Sequence, residues 1–321
     1  MMKTKGVLRG KGVFAALILL VLFFSLTSPH FFKVSNLINV LRQISLLGII
    51  CMSMTMVITC GEIDLSVGAI YCLSAILAGT CMVHGVNLII AVAIALTVGT
   101  LFGLLNGILV TFCKIPAMIV TLGMMNIARG TALLITEGRI INISSRNVKS
   151  PILSSFLFFG QGRIFTIPVM TICFLGIVII SWLIYHKSLL GFHYKAVGGN
   201  PLAAQASGIN GRGIKTLSFA FNGLFSAFAG ILNMAFLSNI QGTSGQGMEM
   251  NVIAAVIIGG TSLSGGEGSI IGTLIGVLII GVLNNGIVLL GVSPFLQTLI
   301  IGIVIIGAVA IDTWSKRGRK R

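Results

Sequence analysis

The residues best placed to do chemistry sit in glycine-framed breaks between apolar runs. Gly61-Glu62-Ile63-Asp64-Leu65-Ser66-Val67-Gly68 carries two carboxylates. A charge at the centre of a bilayer costs roughly 2.5 to 3.5 kcal/mol on insertion scales, so both acids should face protein, a cavity or water. The glycines permit a broken or sharply turned backbone. A cytoplasmic hairpin turn with solvated acids is the plainer expectation, ahead of an element lining a pathway. A second break, Gly259 to Gly268, invites reading as a phosphate cradle. It lacks the Gly-Lys-Ser or Gly-Lys-Thr that sets an ammonium and a hydroxyl on a nucleotide, and so does the rest of the chain. ATP hydrolysis is therefore not expected of this polypeptide.

Gly242-Thr243-Ser244-Gly245 has the form found around intramembrane serine nucleophiles, which need a histidine base within hydrogen-bond reach. All four histidines (His30, His84, His186, His193) precede it, whereas such proteases carry theirs on a later helix. An extracytoplasmic turn is expected instead. The six cysteines fall in or beside apolar segments and none makes a Cys-x-x-Cys. They read as small core residues, with neither a metal site nor a disulfide framework.

The elements that must position these residues follow from composition. Of 321 residues, 56% are hydrophobic and 8% charged, with mean hydropathy +1.08, too little polar surface to clothe a water-soluble globule. At about 20 apolar residues per crossing, the chain is an all-α polytopic membrane protein of about ten transmembrane helices, with no room for a soluble domain. Crossings are expected near Val13–Leu26, Ile44–Cys60, Val67–Val83, Leu88–Phe112, Ala117–Thr136, Ile167–His186, Thr216–Leu237, Met248–Leu263, Ser269–Leu290 and Phe295–Ile311. The net charge of +15 is carried between these runs, which favours membrane anchoring over a nucleic-acid partner. With both termini cytoplasmic, fourteen Lys and Arg fall on that side and six on the other, with Arg129 inside a helix. The connection from Glu137 to Thr166 is placed outside despite four basic residues, and a partly structured cap is expected there.

Gly99-Thr-Leu-Phe-Gly103 with Asn106-Gly107 is echoed by Gly272-Thr-Leu-Ile-Gly276 with Asn285-Gly286. An inverted five-plus-five repeat would leave this trace, and so would chance in glycine-rich helices. The glycines at four-residue spacing mark close packing faces, within the chain or between subunits. In the polar stretch 187–215, Asn200 suits the cap of a short helix, Pro201 its first turn and Gly208 its end. Composition alone makes this a surface helix, one whose alanines would fit a groove on another protein.

Gly61 to Gly68, Pro116 to Gly123, Gly198-Gly199-Asn200 through Ala203-Ala204, Ser207-Gly208-Ile209-Asn210 with Lys215, and Ile253 to Gly276 occur in that order. Over about residues 28–312 the chain thereby resembles the permease subunits of ribose-type ATP-binding-cassette (ABC) sugar importers. The resemblance implies one transmembrane domain over 1–321, with cytoplasmic segments 1–12, 187–215 and 312–321. It implies transport of a monosaccharide, ribose or another pentose first, across the bacterial cytoplasmic membrane. It makes Asn200, Pro201, Ala203, Ala204, Ser207 and Gly208 a coupling helix seated in an ATPase subunit, which holds the ATP and Mg. Further implied partners are a second permease subunit, identical or related, and an extracytoplasmic sugar-binding protein, towards which Glu249 is assigned. Asp64, Ser66, Thr121, Asn126, Asn284 and Asn285, with Asn106, are expected along the passage or its gates; helix packing explains the asparagines as well. Glu62 departs from the glycine usual in the family. The rival is an ion-coupled transporter, for which only Glu62, Asp64 and Arg129 could form a relay.

Overall fold

The computed structural model describes residues 2–144, 148, 153–293 and, beyond them, 296, 299–300, 302–303 and 306–307. In chain order the helices are α1 (Met2–Thr27), α2 (Val34–Thr59), α3 (Val67–Val83), α4 (Leu88–Thr111), α5 (Ala117–Thr136), α6 (Leu153–Gln161), α7 (Val169–Trp182), α8 (Leu189–Gly199), α9 (Pro201–Ala206), α10 (Gly211–Leu237), α11 (Met248–Ile258) and α12 (Ile270–Leu289). The two-residue strands are β1 (Ile141–Asn142), β2 (Arg163–Ile164), β3 (Ile167–Pro168) and β4 (Asn239–Ile240). Six helices are long and apolar enough to span a bilayer, and 12–27, α3 and α11 are shorter apolar ones. The tenth expected crossing and the tail 312–321 lie largely or wholly outside the described residues.

Several expectations need correction. Helix α2 starts at Val34, ten residues before Ile44, and takes in Arg42, whose guanidinium donates to the Gln161 carbonyl and lies 4.8 Å from the Phe236 ring centroid. Helix α1 runs back to Met2, so the basic start is continuous with the first crossing. Helix α11 stops at Ile258, where Gly259 and Gly260 (φ +92°) end it.

The loops sort onto two ends of the bundle. At one end Thr59 closes α2 against Gly198 and accepts a hydrogen bond from the Gly266 amide at 2.8 Å, while Thr111 meets Thr216. At the other, β1 pairs antiparallel with β4, and the Gln161 amide donates to the Phe236 carbonyl and to Ser238. The stretch 137–166 is thus partly structured by β1, α6 and the β2–β3 ribbon that closes it.

Helices α2, α3, α10, α11 and α12 make the core, with α4, α5 and α7 turning apolar faces outward. Helix α10 packs on α3 and α4, and α2 packs on α11 and α12; α3 adjoins α4 as α11 adjoins α12. Exchanging α2–α4 with α10–α12 leaves this set of neighbours unchanged. Corresponding helices run in opposite directions, since α2 ends where α10 begins. The packing is that of an inverted repeat.

Both glycine stripes are spent inside the chain. A Cβ on Gly103 would lie 2.2 Å from the Phe219 carbonyl oxygen, and one on Gly223 would lie 2.2 Å from that of Gly99. Gly272 and Gly276 meet Gly259 and Ala255 in the same way. Gly103→Val should therefore lower stability by about 1–3 kcal/mol through overpacking of α4 on α10. Gly123→Ala, with open space at its Cβ inside α5, should instead raise it by about 0.5–1 kcal/mol. Thermal unfolding in detergent checks both.

Candidate functional site

The break between α2 and α3 runs from the rim of the bundle into its interior. Gly61 (φ +81°) turns the chain back, with its amide on the Ile58 carbonyl and the Glu62 amide on that of Val57. Residues 62–66 then run without helix alongside α10, where Glu62 pairs with Lys215 and Asp64 with Asn222. Seven residues of helix separate those two partners, a climb of about 10 Å. Asp64 thus lies deep in the bundle with no exposed surface. The expectation of two solvated acids in a turn is corrected: Glu62 stands near the rim, half-buried, and Asp64 is enclosed.

Around Asp64 the donors converge. Its Oδ1 accepts from the Ser66 amide (2.9 Å) and the Ser66 hydroxyl (2.6 Å), and Oδ2 accepts from Asn222 Nδ2 (3.0 Å). Asn106 Nδ2 donates to Ser66 Oγ at 2.8 Å, and Ser53 Oγ donates to Asn222 Oδ1 at 2.8 Å. One network therefore joins α2, the break, α4 and α10. The carboxylate also lies at the N-terminus of α3, where the helix dipole favours negative charge.

The start of α3 meets the start of α11. A Cβ on Gly68 would lie 2.3 Å from the Gly245 carbonyl oxygen and 2.8 Å from Glu249 Oε2. Glu249 Oε1 in turn accepts from the Gly247 amide. Arg129, on α5, holds the same loop by donating to the carbonyls of Gly242 (2.8 Å) and Ser244 (2.6 Å). Glu249 is half-buried and turned towards the bundle rather than outward.

At the other end, Asn200 Oδ1 accepts from the Ala203 amide, Pro201 opens α9, and Gly208 (φ +80°) ends it. Ala204 is 5% exposed and faces its own chain, so its side chain is not on the outward surface. Leu202 (79% exposed), Ala203, Gln205 and Ala206 are. A cleft of about 520 Å³ opens beside α9, lined by Pro201, Gln205, Arg212, Lys215, Glu62 and Thr111 among others. Helix α8, which was not foreseen, precedes α9; burial lowers the Lys195 ammonium on it, which sits 4.5 Å from the Tyr185 ring centroid.

The remaining sequence candidates are dispersed. Asn285 exchanges two hydrogen bonds with Asn36 (3.0 and 2.8 Å), a packing clamp between α12 and α2. Asn284 is half-buried, and Thr121 is buried and bonded back to Ala117. Asn126 is exposed midway along α5, with Gly123 and Gly130 open beside it. Sequence reasoning passed over Ser53, Asn222 and the Glu62–Lys215 pair. Asn222 in an apolar helix was the available signal. Among the described residues, no three His, Cys, Asp or Glu could hold a metal ion.

These features define a polytopic all-α membrane protein built on a broken, inverted repeat. Residues 36–309 match the family model described as the permease component of the branched-chain amino acid transport system. The chain belongs to this family of permease components, on its ribose-type ABC importer branch. It is 43% identical to the ribose import permease protein RbsC of Bacillus subtilis (strain 168) over 307 residues, covering 96% of this chain and 94% of that one. It is 40% identical to the protein of the same name from Escherichia coli (strain K12) over 311 residues, covering 96% and 95%. The fructose import permease protein FrcC of Rhizobium meliloti is 36% identical over 304 residues, covering 93% and 83%. No solved structure matches.

Asp64→Ala would strand the Ser66 amide, the Ser66 hydroxyl and Asn222 Nδ2, and should cost at least about 2 kcal/mol. Asp64→Asn should cost less: rotation of the Asn222 amide presents its oxygen to the new amide, and Ser53 can redirect its proton to the Ile50 carbonyl 3.0 Å away. Unfolding midpoints of the two variants give the order.

Proposed function

We propose that the chain is the membrane-spanning subunit of an ATP-driven importer of a monosaccharide, a pentose such as ribose first. The observation that carries this is the identity of 40 to 43% with ribose import permeases along nearly the whole chain. ATP and Mg belong to a partner ATPase, since this sequence has no phosphate loop. The end bearing α8, α9 and the 187–215 connection faces the cytoplasm together with both termini, and its outward residues Leu202, Ala203 and Ala206, capped by Asn200 and Pro201, seat in the ATPase. Ser207 and Gly208 close that element, and Ala204 fixes it to its own chain.

The end bearing β1 and β4 receives an extracytoplasmic sugar-binding protein. The passage forms against a second permease subunit along α5: an exposed asparagine midway through a span is costly against lipid, and Asn126 between open glycines suits a wet surface. Asp64, Ser66 and Glu249 act at the break behind that surface, as a gate. Asn285 clamps α12 to α2, while Thr121 is bonded back within α5.

Leu202→Arg should reduce co-purification of the ATPase about tenfold or more, as for truncation of an interface anchor, and abolish uptake while insertion stays normal. In proteoliposomes, sugar uptake should require ATP, the ATPase and the binding protein; uptake by this chain alone on an ion gradient would refute the reading. In a cysteine-free background, single cysteines at Gln161 and Gln205 should label from opposite sides of the membrane.

A further inference from the structure

Glu62 and Lys215 make one of two salt bridges among the described residues, and the other, Arg139 with Glu137, is largely exposed. The Glu62–Lys215 pair is screened, with side chains 18% and 22% exposed, and it lies in the wall of the cleft beside α9. Its position in the chain is more telling than its strength. Only Ser207 to Asn210 separate α9 from α10, and they are stiff: Ile209 bonds back to the Ala204 carbonyl, and Asn210 Oδ1 caps the Gly213 amide. Lys215 follows on the second turn. Movement of α9 is therefore delivered to Lys215 with little slack.

Glu62 receives it at the mouth of the unwound segment. On one side of Glu62 is Gly61, a positive-φ joint with nothing within 4 Å of its Cβ position. On the other, two residues on, is Asp64, bonded to Ser66 at the first turn of α3. That turn touches the Gly245 carbonyl of the opposite end's loop through Gly68. Asp64 is held by Asn222 as well, so the segment is stapled to α10 at two heights, once by an ion pair and once by a neutral donor.

We propose that the Glu62–Lys215 ion pair is the positioning link by which displacement of α9 and the start of α10 is passed to the buried break at Asp64. The inference rests on α9 being the ATPase-docking element. Without the pair the ATPase still docks and still hydrolyses ATP, but the break no longer follows, and hydrolysis proceeds without delivery of sugar.

The test uses the full complex of permease, ATPase and binding protein in proteoliposomes, with ATP hydrolysed per sugar taken up as the readout. Glu62→Gln and Lys215→Met should each raise that ratio about tenfold, the scale of a coupled pair, while co-purified ATPase stays within about twofold of wild type, as expected of residues away from the docking surface. The exchanged pair, Glu62→Lys with Lys215→Glu, should bring the ratio back towards wild type, and Lys215→Arg should leave it low. A merely stabilising pair would lower the amount of folded complex without altering the ratio. Unchanged ratios in both single variants overturn the inference, as does loss of ATPase association in both, which would make the pair part of the docking surface. Neither result touches the function itself, which fails instead if this chain alone takes up sugar on an ion gradient; the docking premise fails if Leu202→Arg leaves ATPase association intact.

Discussion

A bilayer supplies no water to an interrupted helix, so every amide freed by the interruption must find its partner in protein. Between α2 and α3 the carboxylate of Asp64 takes the Ser66 amide, and side-chain donors converge on it too. It accepts the amide and hydroxyl of Ser66 and the side chain of Asn222, and through them reaches Asn106 and Ser53. An acceptor-only group with two oxygens meets three donors here, which a neutral amide does less well. Remove that convergence and α3 has no fixed starting point. The contact of Gly68 with the loop that starts α11 then loses its register too, so the interior of the bundle and the shape of its far end share one anchor.

Around this anchor the chain uses small residues to bring backbone onto backbone. In lipid, apolar side chains gain nothing by leaving solvent for one another, and close packing with hydrogen bonds must hold helices together. The crossings of α4 on α10 and α11 on α12 supply the first. Hydroxyl pairs such as Thr55 with Thr273 and Thr111 with Thr216, and the Asn36–Asn285 clamp, supply the second. Two halves of the chain reach this solution with opposite directions, and the packing neighbours match even where the residues do not.

Much of this was legible in the sequence, for identifiable reasons. Helices α3 and α5 have the expected bounds and α4 ends within one residue, because Gly85, Asn87 and Pro116 punctuate apolar runs of spanning length. The Asn200–Pro201 start and Gly208 end of α9 were legible from capping chemistry. Helix α8 was hidden by its glycines, which read as loop. Gly191 and Gly198 are instead places where the helix lies against the carbonyls of Tyr185 and Thr59. The depth of Asp64 was hidden for another reason: charge argues for solvent, and only the placement of Asn222, 158 residues away, reveals a partner. Ala204 was misplaced because a pattern of alanines gives no sign of which one faces home.

The crossing of α4 and α10 has a mechanical consequence. Where backbone rests on backbone there are no rotamers to exchange, so these two helices cannot slide in small steps as side-chain-lined surfaces do. They form a plate. Any rearrangement that opens a passage must carry the plate whole and bend the chain elsewhere, and positive-φ glycines at positions 61, 245, 247, 260, 265 and 266 lie in the connections that join α2 to α3, α10 to α11 and α11 to α12. The protein thus separates its parts into slabs that keep their shape and joints that do not, and the joints gather at the breaks in the helices.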